Sequence, residues 1–188
     1  VDKKRRNKKR KGRSLQRQRA LDVLFEADIK GIPANSITDL LAQRTQLSTA
    51  QVPIGEYGQA IVNAYGEWAD NIDSMIDAAS PNWALSRMTT VDRNLLRIGA
   101  AELMFLDGEI AVVATEIANL TRDFSTDAAV PFNMGVLNKI ADIYAGETAG
   151  AGNTIADLSG LDTEIFVEDT LAENSAQISA ASPEVPES

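Results

Sequence analysis

Apolar residues recur three and four positions apart through most of this chain, the spacing of helices with one buried face. The first run covers 14 to about 29. Ala20, Leu21, Leu24, Phe25 and Ile29 form its apolar face, Ser14 is its N-cap, and Gly31 and Pro33 are stop signals. Asn35 or Ser36 caps a short second helix carrying Ile37, Leu40, Leu41 and Leu47. Pro53 opens a long third helix, in which Tyr57, Ile61, Ala64, Tyr65, Trp68, Ile72, Met75, Ile76 and Ala79 keep the helical spacing up to Ser80-Pro81. Gly58 and Gly66 weaken that helix without breaking its pattern. Thr90 caps a fourth helix with Val91, Leu95, Ile98, Leu103 and Leu106 on one stripe, closed by Asp107-Gly108. A fifth follows over 112–124, through Val113, Ile117, Leu120 and Phe124. The last begins after Pro131, uses Phe132, Val136, Leu137, Ile140 and Tyr144, and ends at Gly146.

No run shows sustained strand alternation. The pattern predicts an all-α domain of six or seven helices with short connections over 14–146, a size that holds a core. Residues 1–13 have no apolar periodicity and are expected to be a disordered basic arm. Residues 147–188 are small, acidic and polar, and are expected to be a mostly disordered tail with at most a transient helix.

Charge is unevenly distributed along the chain. The 188 residues carry a net charge of -9, which hides a segregated distribution. Residues 1–19 hold eleven Lys and Arg against Asp2 alone, a local charge of +10. Residues 20–146 stand at -10, and residues 147–188 have nine acids and no base. A dense cationic arm on an acidic domain points to nucleic acid, where each neutralised phosphate releases counterions and makes binding salt-dependent. The tail's charge also suggests a fold-back onto the arm, which needs near contact because the Debye length is about 8 Å at physiological salt.

The chain has no Cys and no His. That removes a disulfide framework, thiolate metal sites, a Cys nucleophile and the usual general base near neutral pH. No Walker loop, dinucleotide-binding glycine motif or GxSxG elbow stands in the sequence. The reading is of a protein that is not an enzyme, with no cofactor and no metal. The apolar stretches at 98–106 and 110–118 contain acids and are about half the length of a spanning helix, so a cytoplasmic location is expected.

Arg13 and Arg17 are four apart and share a helix face, continuing the arm into structure, whereas Arg19 points elsewhere. Asp70, Asp73 and Asp77 at helical spacing read as a solvated acidic face, because carboxylates on one straight helix enclose a metal poorly. Trp68 and Trp83 read as core rather than as base-stacking residues. From the residues alone, the conclusion is a helical domain with an RNA- or DNA-binding arm.

Two segments carry a resemblance. The first is Arg17-Gln18-Arg19-Ala20-Leu21-Asp22-Val23-Leu24-Phe25. The second is Asn82-Trp83-Ala84-Leu85-Ser86-Arg87, followed by 91–103 (VDRNLLRIGAAEL). With Glu116, Phe124, Phe132 and 135–141 (GVLNKIA), they resemble the NusB family of transcription antitermination factors over about 15–145. The resemblance implies an all-helical fold of two small bundles and no catalysis. It implies binding of boxA, a short single-stranded element of ribosomal RNA leader transcripts. The implied partner is NusE, a small-subunit ribosomal protein, with RNA polymerase and other Nus factors engaged indirectly; a homodimer is also compatible.

By position, the resemblance places phosphate contacts at Arg10, Lys11, Arg13 and Arg17 and a base-stacking aromatic at Phe132, whose alternative is the helix core. It places the NusE surface at Phe25 and Asp92; Asp92 reads equally as a first-turn acid stabilised by the helix dipole. Arg93 and Arg97 read as local ion pairs. The family often has Asn-Glu-Ala where Thr115-Glu116-Ile117 stands, and Lys-Phe-Val-Asn-Gly where Pro131-Phe132-Asn133-Met134-Gly135 stands. The long arm is expected to offset the lost Lys with extra phosphate contacts. Similar helical domains begin ribosomal RNA cytosine-5 methyltransferases, but their Cys nucleophiles have no counterpart here. A pure protein-interaction module is the other alternative.

Overall fold

The computed structural model describes residues 11–47 and 50–158, with side chains to 148. Six α-helices account for most of them: α1 (Gly12–Lys30), α2 (Ile37–Gln46), α3 (Glu56–Ala79), α4 (Thr90–Phe105), α5 (Ile110–Phe124) and α6 (Ala129–Leu158). Short 3-10 turns precede α2 and α4, and no strand occurs among the described residues.

The helix ends follow local chemistry. Gly31 closes α1 at φ +65°, and the next amide, Ile32, donates to the Ala27 carbonyl. That is the left-handed stop that glycine provides most cheaply. Thr89, not Thr90, is the N-cap of α4, its Oγ1 accepting the Asp92 amide at 3.2 Å. Pro131 fits the first turn of α6, where backbone N–H groups have no helical partner anyway. α6 runs past Gly146 to Leu158, contrary to the predicted end. A lone glycine costs a helix only about 1 kcal/mol relative to alanine, so it does not by itself terminate one. The remaining arm and tail predictions, for 1–10 and 159–188, lie outside the described residues.

α4 is the spine. It packs on α1, α3 and α5, and α2 packs against α1 and α3. Leu137 and Tyr144 of α6 meet α4 at Gly99 and Met104. Leu24, Ile61, Ile72, Leu95, Leu96, Ile98, Ile117, Leu137 and Ile140 make one continuous core through these helices.

α1 runs antiparallel to α4. Arg17 near its start meets Glu102, while Asp28 near its end accepts Arg93 Nε at 2.6 Å and Asn94 Nδ2 at 3.0 Å. Burial raises the Asp28 pKa, but the bonds from Arg93 and Asn94 outweigh it and hold it below the usual value. Arg97 pairs with Asp73 at 2.7 Å, so Arg93 and Arg97 are ion-paired as expected, but across helices, with Asp28 of α1 and Asp73 of α3, rather than locally. Asp73 is therefore engaged, and Asp77 accepts the Leu85 amide at 2.7 Å.

Candidate nucleic-acid interface

Gly12, at φ +55°, starts α1 two residues before the predicted cap. No side chain caps this end, and Lys11 and Arg13 flank it, both exposed. The positive end of a helix dipole and two cations converge there, the arrangement that attracts phosphate. Arg10 lies outside the described residues.

Arg17 is placed differently from its expected role. It is 4% exposed, and its Nε lies 2.9 Å from both oxygens of Glu102, which is 0% exposed. Burial lowers the Arg17 pKa, but the bond to Glu102 and that residue's charge win and leave it raised. The guanidinium is thus a structural partner of α4, buried away from any phosphate in solution.

Tyr57 at the start of α3 completes the cluster. Its hydroxyl donates to Glu102 and accepts from Arg17 Nη2 at 3.3 Å. Its ring lies under two guanidiniums, 4.6 Å from Arg13 and 5.3 Å from Arg17. Burial, then the bond to Glu102, push the phenol up to about 12, so the ring is neutral at any physiological pH. Gly58 makes the arrangement possible, because a Cβ there would stand 2.9 Å from the Gln16 backbone oxygen. Glycine lets α1 lie directly on α3.

The other end of α4 holds the remaining candidates. Asp92 is buried and forms a reciprocal cap with Thr89, whose hydroxyl donates to it at 2.7 Å. Its second oxygen accepts Asn133 Nδ2 at 3.2 Å, and Asn133 also donates to Thr121 at 3.1 Å. Asp92 thus takes the first-turn position of its alternative reading, with little of its carboxylate at the surface. These bonds pin the first turn of α6, which leaves Phe132 outward and 37% exposed. Ten residues of α4, about 15 Å of helix, separate Asp92, which is bonded to Asn133 next to Phe132, from Glu102 beside the Arg13 cluster.

Phe25 is 39% exposed, and Ile29, one turn on, is exposed too, so both leave the predicted core face. At 100° per residue, α1 buries 17, 20, 21, 23, 24 and 27, so position 25 falls on its flank and position 29 on the opposite face. Leu47 likewise lies exposed. Trp68 and Trp83 also depart from the core reading. Trp68 sits at a kink in α3 and stacks on Phe105 at 5.1 Å, while Trp83 carries Arg87 at 4.5 Å, both rings remaining substantially exposed. A groove of about 740 Å³ beside α1 is lined by Arg19, Asp22, Glu26 and Arg44, but these charges already pair as Arg19–Asp22 and Arg44–Glu26. Sequence reasoning missed Tyr57 and Glu102, which looked like ordinary helix positions. Only the long-range pairing of α1 with α3 and α4 reveals them.

The family model for NusB matches residues 14–142, from the first turns of α1 into α6. The chain belongs to the NusB family. The transcription antitermination protein NusB of Streptomyces griseus subsp. griseus is 39% identical over 135 residues, covering 70% of this chain and 92% of that protein. Among solved structures, the NusB of Aquifex aeolicus aligns with a TM-score of 0.58 at 27% identity, covering 72% of this chain and 90% of that one. A complex of antitermination factors NusB and NusE with double-stranded RNA contains a chain similar at TM-score 0.57 and 28% identity, covering 70% and 97% respectively. The NusB match includes Arg17, Asp92 and Phe132 and stops short of the arm and the tail. Among the described residues no helix is long and apolar enough to cross a membrane.

Proposed function

We propose that this chain is an antitermination factor that binds boxA RNA of ribosomal RNA leader transcripts together with NusE, and so helps RNA polymerase and other Nus factors read through terminators. The observation that carries the reading is the family match from 14 to 142, joined to an α1 start where Lys11 and Arg13 stand exposed. Arg10, Lys11 and Arg13 contact phosphate, and Phe132 stacks on a base near the other end of α4. Arg17 supports them from below rather than touching RNA. Phe25 and its neighbour Ile29 form the contact with NusE, and Asp92 serves that surface only by fixing the start of α4. The protein carries out no catalysis in this role and works in the cytoplasm, where bacterial transcripts are made.

The test is transcription in a purified system on a template with a boxA-containing leader and a downstream terminator. Read-through that rises when this protein and NusE are added together, and not when boxA is scrambled, is the expected result. Read-through indifferent to boxA refutes the proposal.

A further inference from the structure

Among the described residues Arg13 is the cation best placed to meet RNA, yet it extends from the second residue of a helix whose N-cap, Lys11, makes no side-chain capping bond. A free arginine side chain loses about 2 kcal/mol of rotamer entropy on being fixed, so an arginine already held in place binds phosphate more tightly. Among the described residues, what holds Arg13 is the face of Tyr57, 4.6 Å from its guanidinium. No carboxylate of the described residues pairs with it, so its five N–H donors remain available.

The ring is itself fixed from three sides. Its hydroxyl is bonded to Glu102, Arg17 lies near the same ring, and the adjacent Gly58 is pressed against the α1 backbone. Tyr57 belongs to α3, far in sequence from the basic arm. We propose that Tyr57 is a positioning residue for RNA binding: its ring holds the Arg13 guanidinium pre-oriented at the open end of α1, and its hydroxyl separately locks the Arg17–Glu102 pair beneath. This rests on the RNA-binding reading above. The two halves of the side chain thus have different jobs, the ring for affinity and the hydroxyl for the fold.

The experiment is a double-mutant cycle on the full chain, with labelled boxA RNA and a scrambled RNA, titrated over a range of salt. Tyr57→Leu is expected to weaken binding to both RNAs by about 2- to 5-fold, the worth of an exposed cation–π contact. In an Arg13→Ala background the same change is expected to do nothing further, because the group it positions is gone. Tyr57→Phe is expected to rescue the affinity lost in Tyr57→Leu while unfolding at a lower denaturant concentration than the unsubstituted protein. Arg13→Ala should reduce the log-log salt slope by about 0.7, the single-strand value for one phosphate, with Tyr57→Leu reducing it in the same direction. If Tyr57→Leu shows no cooperative unfolding, Tyr57→Met takes its place in the cycle. Equal losses in both backgrounds, or no loss in either, overturn the proposal. Absence of preference for boxA over the scrambled RNA refutes the antitermination reading instead, and leaves the cycle on either RNA to decide the role of Tyr57.

Discussion

Replacing Arg17 by Met removes a cation that contacts both oxygens of a fully buried carboxylate. Glu102 then keeps only the Tyr57 hydroxyl, with no countercharge at bonding distance. Breaking one side of a buried ion pair in this way costs about 3–5 kcal/mol, because the remaining charge has lost both water and partner. For a domain of this size each kcal/mol moves the melting point by about 3–5 °C, so the fall should be about 10–25 °C. The double variant Arg17→Met with Glu102→Leu removes the stranded charge and should recover most of the loss, giving a coupling of at least about 2 kcal/mol. Urea unfolding followed by circular dichroism measures all four proteins of the cycle. The folded Arg17→Met protein should keep the salt slope of RNA binding. A stability loss below about 1 kcal/mol, with a slope reduced by about 0.7, would rule out a structural role for the Arg17–Glu102 pair and return Arg17 to the phosphate contacts.

Gly58→Ala pushes a methyl group against the Gln16 backbone oxygen and should cost about 1–3 kcal/mol, read in the same urea titration. Asp92→Ala keeps the backbone amide that Thr89 caps but removes the carboxylate that accepts from the Thr89 hydroxyl and from Asn133 Nδ2, so it should lower stability by about 1–3 kcal/mol without weakening NusE binding by the folded protein, as measured by calorimetry. Glu26 is held down to about 2, first by its bond from Arg44 and further by Lys30. A carboxylate depressed in the folded state contributes stability that is complete above its unfolded value near 4.3 and fades as pH falls toward 2. On a partly solvated pair the contribution is about 1 kcal/mol, and Glu26→Gln should flatten that part of the stability–pH curve. Deleting residues 1–12 should weaken RNA binding and reduce its salt slope; unchanged affinity would show that the arm contributes no phosphate contacts.

The helical fold was legible because burial on one helix face leaves a strong 3-4 repeat, and Gly31, Pro33 and Asp107-Gly108 mark stops by their backbone preferences. What the repeat does not report is which neighbours a residue meets. Phe25 and Ile29 look like core from their spacing, yet the packing of α1 against α3 and α4 turns them outward. Arg17 looks like part of a basic run, yet the antiparallel approach of α4 places Glu102 against it. Asp92 was readable as a first-turn acid, but its burial depends on Asn133 arriving from α6. Long-range partners of charged residues decide the site, and helical periodicity carries no information about them.

The proposed function requires specific recognition of RNA in company with NusE. Fluorescence anisotropy of a labelled boxA RNA, against a scrambled RNA of equal composition and a duplex form, tests this most directly when run with and without NusE at low and physiological salt. A preference for single-stranded boxA that strengthens when NusE is added is the result predicted. Equal, steeply salt-dependent binding to all three RNAs, untouched by NusE, would contradict it and leave a basic arm on a helical domain.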